Sequence, residues 1–184
     1  MDFFRGEKMS AATCFLKISI GLFICFSASC LYSADQTYAF KDIKLGSDIS
    51  EITDDPNFSC EEANSTIADK TCQLRQENED RETIANLPIS SITLHYFADT
   101  LTTIIITFEE THFKAVTDAF KQEHGTPGRH AVETYVSQRY HLFEGLVYVW
   151  KNNVSTIDAV QYFQNTDESA VLYKFSSYID KLSG

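Results

Sequence analysis

The clearest pattern along the chain is the stretch "ISSITLHYF", in which Ile92, Leu94 and Tyr96 alternate with Ser91, Thr93 and His95. A period of two with one apolar side is that of a half-buried strand. Ala98-Asp99-Thr100 supplies turn residues, and the apolar run Leu101–Phe108, "LTTIIITF", predicts the returning strand of a hairpin. The period then changes. Phe113, Val116, Ala119 and Phe120 fall on one face of a helix over about 111–124. Thr111 stands where an N-cap is expected. Gly125 is placed to end the helix, and Pro127 forbids its continuation.

The flanking segments carry weaker versions of both patterns. Tyr38, Phe40 and Ile43 read as a strand broken at Gly46. Ser47 is the expected N-cap of a short helix over about 48–53, with Ile49 and Ile52 on one face and Asp54-Asp55-Pro56 as its stop. "NFSC" and "DKTCQL" read as two short extended pieces around a polar loop, and Gln76–Glu82 as a solvated loop. Leu146–Lys151 and Val154–Phe163 flank Asn152-Asn153, which suits a tight hairpin. Ser169–Phe175 adds a third strand. Together these predict a single α+β domain over residues 35–184, mainly antiparallel sheet, with both helices packed on one face.

The first thirty residues follow a different plan. Arg5, Lys8 and Lys17 precede the apolar run Ile18–Phe26 and the small residues of "SASC". These are the parts of a secretory signal peptide, with cleavage expected between about residues 29 and 34. The run is too short to cross a hydrocarbon core of about 30 Å as a stable helix. Met9 is a second candidate start. Cys30 follows Ala28 and Ser29 as the first residue of a lipoprotein would, although Ser27 occupies the place where such signals usually carry Leu, so Cys30 is a candidate lipidation site.

An exported chain changes the reading of its cysteines. Of five, Cys14, Cys25 and Cys30 lie in or beside the signal, leaving Cys60 and Cys72 to pair in an oxidising compartment. Charge narrows the partners. The formal net charge is −11, and loss of residues 1–30 removes three basic and two acidic groups, making the remainder one unit more negative. That argues against binding nucleic acid or an anionic membrane surface and favours, if anything, a basic protein partner. Membrane association is expected only through a lipid on Cys30.

No catalytic, cofactor or metal motif stands out. His112 and His124 lie at opposite ends of the expected helix, roughly 18 Å apart at the helical rise, too far to share a metal. His124 is placed to interact with the helix dipole if charged. His124, His130 and His141 could converge around the loop after the helix. Asp99, Glu109 and that histidine region are where an unrecognised hydrolase site would be sought. The acidic pairs Asp54-Asp55, Glu61-Glu62 and Glu109-Glu110 are adjacent along the chain, whereas a glycosidase holds its carboxylates across a cleft. There is no Gly-x-Ser-x-Gly elbow and no glycine-rich phosphate loop. Trp150, the single tryptophan, shares its strand face with Leu146 and Tyr148 and reads first as a packing anchor, with a binding surface as the alternative.

The landmarks "FKDIKLGSDISEI", two cysteines, "ETIANLPISSITLHYFADTLTTIIITF", a helix ending "KQEHGTP" and a Trp-bearing hairpin resemble a group of uncharacterised bacterial exported proteins. More distantly, a helix ending in Gly-x-Pro and leading into strands is similar to modules of the BamE-like outer-membrane lipoproteins and the β-lactamase inhibitor protein family. That resemblance implies action by protein–protein contact without catalysis, and it transfers no functional residue. The expectation is therefore a non-enzymatic periplasmic binding or envelope-assembly module without a cofactor. The alternatives are an inhibitor of a secreted basic enzyme, such as a lysozyme or protease, and the unrecognised hydrolase.

Overall fold

A computed structural model of the chain describes residues 36–75, 82–136 and 142–176. The chain divides into two compact units, Met1–Leu31 and Tyr32–Gly184, and every described residue belongs to the second. The expected signal segment and cleavage region, Cys30, residues 76–81 and His141 lie outside the described residues.

In chain order the unit begins with a small ladder, β1 (Ala39–Phe40) and β2 (Ile43–Lys44), and a single helical turn, α1 (Ser50–Thr53). Two strands joined by a loop follow, β3 (Phe58–Glu62) and β4 (Lys70–Leu74). A second small ladder, β5 (Thr83–Ile84) and β6 (Leu87–Pro88), leads into the hairpin β7 (Ser91–Phe97) and β8 (Thr100–Glu109). A 3-10 turn, Glu110–His112, opens α2 (Phe113–His124). Four more strands complete the unit: β9 (Arg129–Val136), β10 (Leu142–Lys151), β11 (Ser155–Val160) and β12 (Glu168–Phe175). Eight strands form one sheet in the order β3-β4-β7-β8-β12-β11-β10-β9, and all its neighbouring pairs are antiparallel. The architecture is thus mostly antiparallel β-sheet with one ordered helix of 15 residues, broadly α+β.

The sheet closes on a continuous cross-strand row. Cys60, Cys72, Leu94, Ile104, Tyr173, Ile157 and Trp150 stand opposite one another in turn, one residue from each of seven adjacent strands. Because side chains directly opposite share a face, this row is one stripe of core. All but the terminal Cys60 are buried. α2 lies over the same face: Phe120 sits 5.8 Å from Trp150 and 6.4 Å from Tyr173, ring centre to ring centre. Each fully buried aliphatic or aromatic side chain here contributes about 1.5–3 kcal/mol.

The β7–β8 hairpin has the predicted turn. Ala98 and Asp99 both adopt positive φ, 48° and 59°, between the paired Phe97 and Thr100. The primed turn this makes matches the right-handed strand twist. Gly125 ends α2 at φ 78°.

Three expectations about local structure are corrected. The helix expected at 48–53 is a single turn with no buried residue in it, and Ser47 does not cap it; the Asp48 carboxylate accepts from the Ser50 N–H instead. Thr111 is no N-cap either, because the 3-10 turn has absorbed it and α2 starts at Phe113 with no side-chain cap. The α2 face that is buried includes Thr117, whose hydroxyl is satisfied by the Lys114 carbonyl three residues back. Finally, the strand expected to run to Phe163 ends at Val160, for a reason that belongs to the site below.

Candidate functional site

The N-terminal half of α2 and strand β10 enclose an open groove of about 340 Å³. Its floor is apolar, made by Phe113, Leu146 and the ring of Tyr148. Alternation along β10 places Leu146, Tyr148 and Trp150 on the helix side, and Trp150 is fully covered while Tyr148 and Leu146 remain partly open. Phe113 packs on Tyr148 at 6.1 Å.

The rim is charged. Lys114, Asp118 and Lys121 recur at helical spacing, and the Asp118 carboxylate accepts from both lysines. The Lys114 hydrogen bond holds Asp118 below the ordinary carboxylate range against the opposing effect of burial, and the Lys121 bond adds to the lowering. Lys114 is raised in turn, chiefly by the same bond. Lys121 also places its ammonium 4.4 Å from the Tyr148 ring centre, a cation–π contact. His130 stacks on the same tyrosine from the neighbouring strand, with ring centres 4.6 Å apart and planes within 3°.

Gln161 closes one end. Its side-chain carbonyl accepts from the Leu146 N–H at 3.0 Å, while its side-chain amide donates to Glu110 Oε1 at 2.7 Å. The Gln161 main-chain carbonyl is turned away to accept from the Ser169 hydroxyl. A side-chain carbonyl thus replaces a main-chain one in the β10–β11 ladder, which is why β11 ends early. The same amide ties that strand to the entrance of α2.

The remaining candidates are dispersed. Cys60 and Cys72 are disulfide-bonded across the β3–β4 pair, Cα atoms 4.0 Å apart. Trp150 is 2% exposed, and its indole N–H donates to the Gly125 carbonyl at 2.9 Å, so it is the packing anchor and offers no binding surface. His124 packs against Tyr38 and Phe120, its side chain 7% exposed. Desolvation lowers its pKa despite the opposing influence of Glu123, which favours the neutral ring over the charged, dipole-binding form expected from its position. His130 has a different neighbour, Tyr148. His95 is half-buried on the sheet face away from α2, and burial lowers its pKa too.

Asp99 and Glu109 stand at opposite ends of β8, roughly 30 Å apart at the strand rise, and cannot share one site. Asp99 instead pairs with Lys70 at 3.2 Å. Among the described residues no group of three or more His, Cys, Asp or Glu side chains could hold a metal ion, and no helix is long and apolar enough to cross a membrane.

The groove was hidden from sequence reasoning. The alternation of β10 and the Lys114/Asp118/Lys121 spacing are visible in the sequence, but nothing there says that α2 crosses β10 or that Gln161 turns inward. No protein-family model, no curated protein and no solved structure matches the chain.

Proposed function

We propose that this is an exported, non-enzymatic protein of the bacterial periplasm that acts by protein–protein contact, with the groove between α2 and β10 as its contact site. The observation that carries the reading is the make-up of that groove. An aromatic and aliphatic floor under a rim of paired charges suits the insertion of a partner's side chains, as binding pockets combine apolar area with a few fixed polar groups. In this reading the export signal lies within residues 1–30, and cleavage before Cys30 leaves that residue to carry a lipid, the one route to a membrane. The resemblance to exported modules that work by contact points the same way.

The test is cross-linking in the native cell with a photoreactive residue at Lys114 and, as control, at Lys151, which is exposed on the other side of the sheet. A discrete adduct from position 114, absent from 151 and lost when Tyr148→Asp is added, is the expected result. The same adducts from both positions, or none from 114, overturn the assignment of the site.

A second reading, inhibition of a basic secreted enzyme, is favoured by one feature. The β3–β4 pair at the sheet edge is locked by the disulfide and displays Glu61 and Glu62. A pre-ordered acidic edge lowers the ordering cost of binding a basic surface. Salt-sensitive inhibition of a basic lysozyme or protease, lost in Glu61→Lys/Glu62→Lys, is its signature. Undiminished enzyme activity across such a panel rejects it.

A further inference from the structure

The two edges of the eight-stranded sheet are not equally protected. Strand β3 carries two adjacent glutamates and no cation, and its partner β4 is bonded to it covalently. A second copy approaching that edge meets like charge, the usual protection of an edge strand. Strand β9 has no such guard. It reads Arg-His-Ala-Val-Glu-Thr over 129–134, and no described strand pairs with its outer side. Val132, on this strand, is 57% exposed, one of two large apolar side chains left open among the described residues.

The direction of the β9 main-chain groups follows from the ladder. Gln161 N–H donates to the Leu146 carbonyl, and Asn152 N–H to the Ser155 carbonyl. In an antiparallel pair, residues alternate between those that exchange hydrogen bonds and those that do not. Even-numbered residues of β10 therefore point their N–H and C=O groups at β11, and odd-numbered ones at β9. Val147 stands opposite Ala131 and Val149 opposite Arg129. So Arg129, Ala131 and Glu133 bond inward to β10, while His130, Val132 and Thr134 present their N–H and C=O groups to the open edge.

We propose that a second copy of this chain pairs with that edge, β9 against β9 antiparallel, with the two-fold axis at Ala131. The register is selected by charge. Arg129 and Glu133 lie on the same side of the strand, and within one chain Arg129 already reaches over Ala131 to Glu133 at 3.2 Å. Turned about Ala131, each Arg129 stands opposite the other copy's Glu133, giving two cross-strand ion pairs. His130 stands opposite the other copy's Val132, and both have outward N–H and C=O groups, so the backbone bonds form in the same register. Ala131 meets its own copy as a non-bonded pair, where the backbones approach most closely and a small side chain fits. Side-chain charge and main-chain direction thus agree on one register. A single strand pair buries less than the roughly 1,200 Å² of a standard interface, so the dimer dissociates on dilution. This contact adjoins the groove, since His130 stacks on Tyr148, but it uses the outer main-chain edge of β9 and does not rest on the function proposed for the groove.

The test uses protein recovered from cells expressing the full-length chain. Sedimentation velocity over a concentration series at physiological salt is expected to show a monomer–dimer equilibrium. Arg129→Glu places carboxylate against carboxylate and should leave monomer at every concentration. Arg129→Glu with Glu133→Arg restores both pairs and should restore the dimer. In chains with Cys14, Cys25 and Cys30 replaced by Ser, Ala131→Cys should oxidise to a covalent dimer at least about tenfold faster than Val132→Cys, because only position 131 meets itself at disulfide distance. Wild-type protein that stays monomeric throughout, no rescue in the double charge reversal, or equal cross-linking at 131 and 132 would each overturn the proposal.

Discussion

Trp150 donates its indole N–H to the main-chain carbonyl of Gly125 at 2.9 Å, which pins the C-terminal end of α2 to the tenth strand. The bond satisfies a carbonyl at the helix terminus that has no intrahelical partner. It sits where Phe120 covers the tryptophan ring, so packing and hydrogen bonding fix the same junction. Trp150→Ala is expected to lose about 3–5 kcal/mol of stability. Trp150→Phe keeps much of the ring but orphans the Gly125 carbonyl, and should lose about 1–3 kcal/mol. Urea unfolding followed by circular dichroism measures both, and an unchanged stability in Trp150→Phe would show that the hydrogen bond contributes nothing.

Tyr96 is fully buried, yet its hydroxyl has no hydrogen-bond partner among the described residues. Tyr96→Phe should therefore leave stability unchanged or raise it by about 1 kcal/mol. Burial first, and the carboxylates of Glu51 and Asp48 second, push the phenol from 10.0 up to about 12. Between those values the unfolded chain has released a proton that the folded chain retains, so stability falls as pH rises through the window. The loss is about 2–3 kcal/mol. Denaturation midpoints at pH 9 and pH 12 should differ less in the Phe variant than in the wild type, and an identical slope would remove Tyr96 as the cause.

At the acid side the sign runs the other way. Burial depresses the pKa values of His124 and His95 below 6.5, so the unfolded state takes up protons first as pH falls. Stability is full above the ordinary histidine range and declines once pH drops through it. His124→Gln should flatten the dependence of melting temperature on pH between 7 and 5. A variant as acid-sensitive as the wild type would place the effect elsewhere.

Replacing Cys60 and Cys72 together by Ser should lower stability by about 2–4 kcal/mol. Cys72 is completely buried, so its serine also carries a desolvation cost that the matching pair of alanines avoids. Because the bond lies at the sheet edge, hydrogen exchange should report lost protection in residues 58–62 before residues 91–109. Uniform loss across the sheet would instead make the disulfide a global determinant.

Where the amino-acid pattern is strict, it was a sufficient guide. The alternation through Ile92, Leu94 and Tyr96 marks the central hairpin, and the spacing of Phe113, Val116 and Phe120 marks the long helix, because each buries one face only. Caps are less legible: Ser47 and Thr111 are good cap residues, but α1 has no side-chain cap and a 3-10 turn takes up Thr111, through local geometry that composition does not encode. Strand 129–136 is not legible in the sequence because Arg129, His130 and Glu133 interrupt any apolar rhythm, as befits an edge with little to bury. The groove depends on Gln161 and Glu110 meeting across 51 residues, a relation between distant segments that neither segment announces.

The strand order also sets a route for folding. Strands 3, 4, 7 and 8 occupy one half of the sheet, and strands 12, 11, 10 and 9 the other, so nearly every pairing joins close neighbours in sequence. Only the seam between strands 8 and 12 unites the halves, and there Thr107 must find Ala170 across the long helix and three intervening strands. Hairpins close in microseconds, whereas distant pairings make folding slow. Until that seam closes, the apolar sides of two half-sheets stand open, and this is the interval of greatest exposure to aggregation.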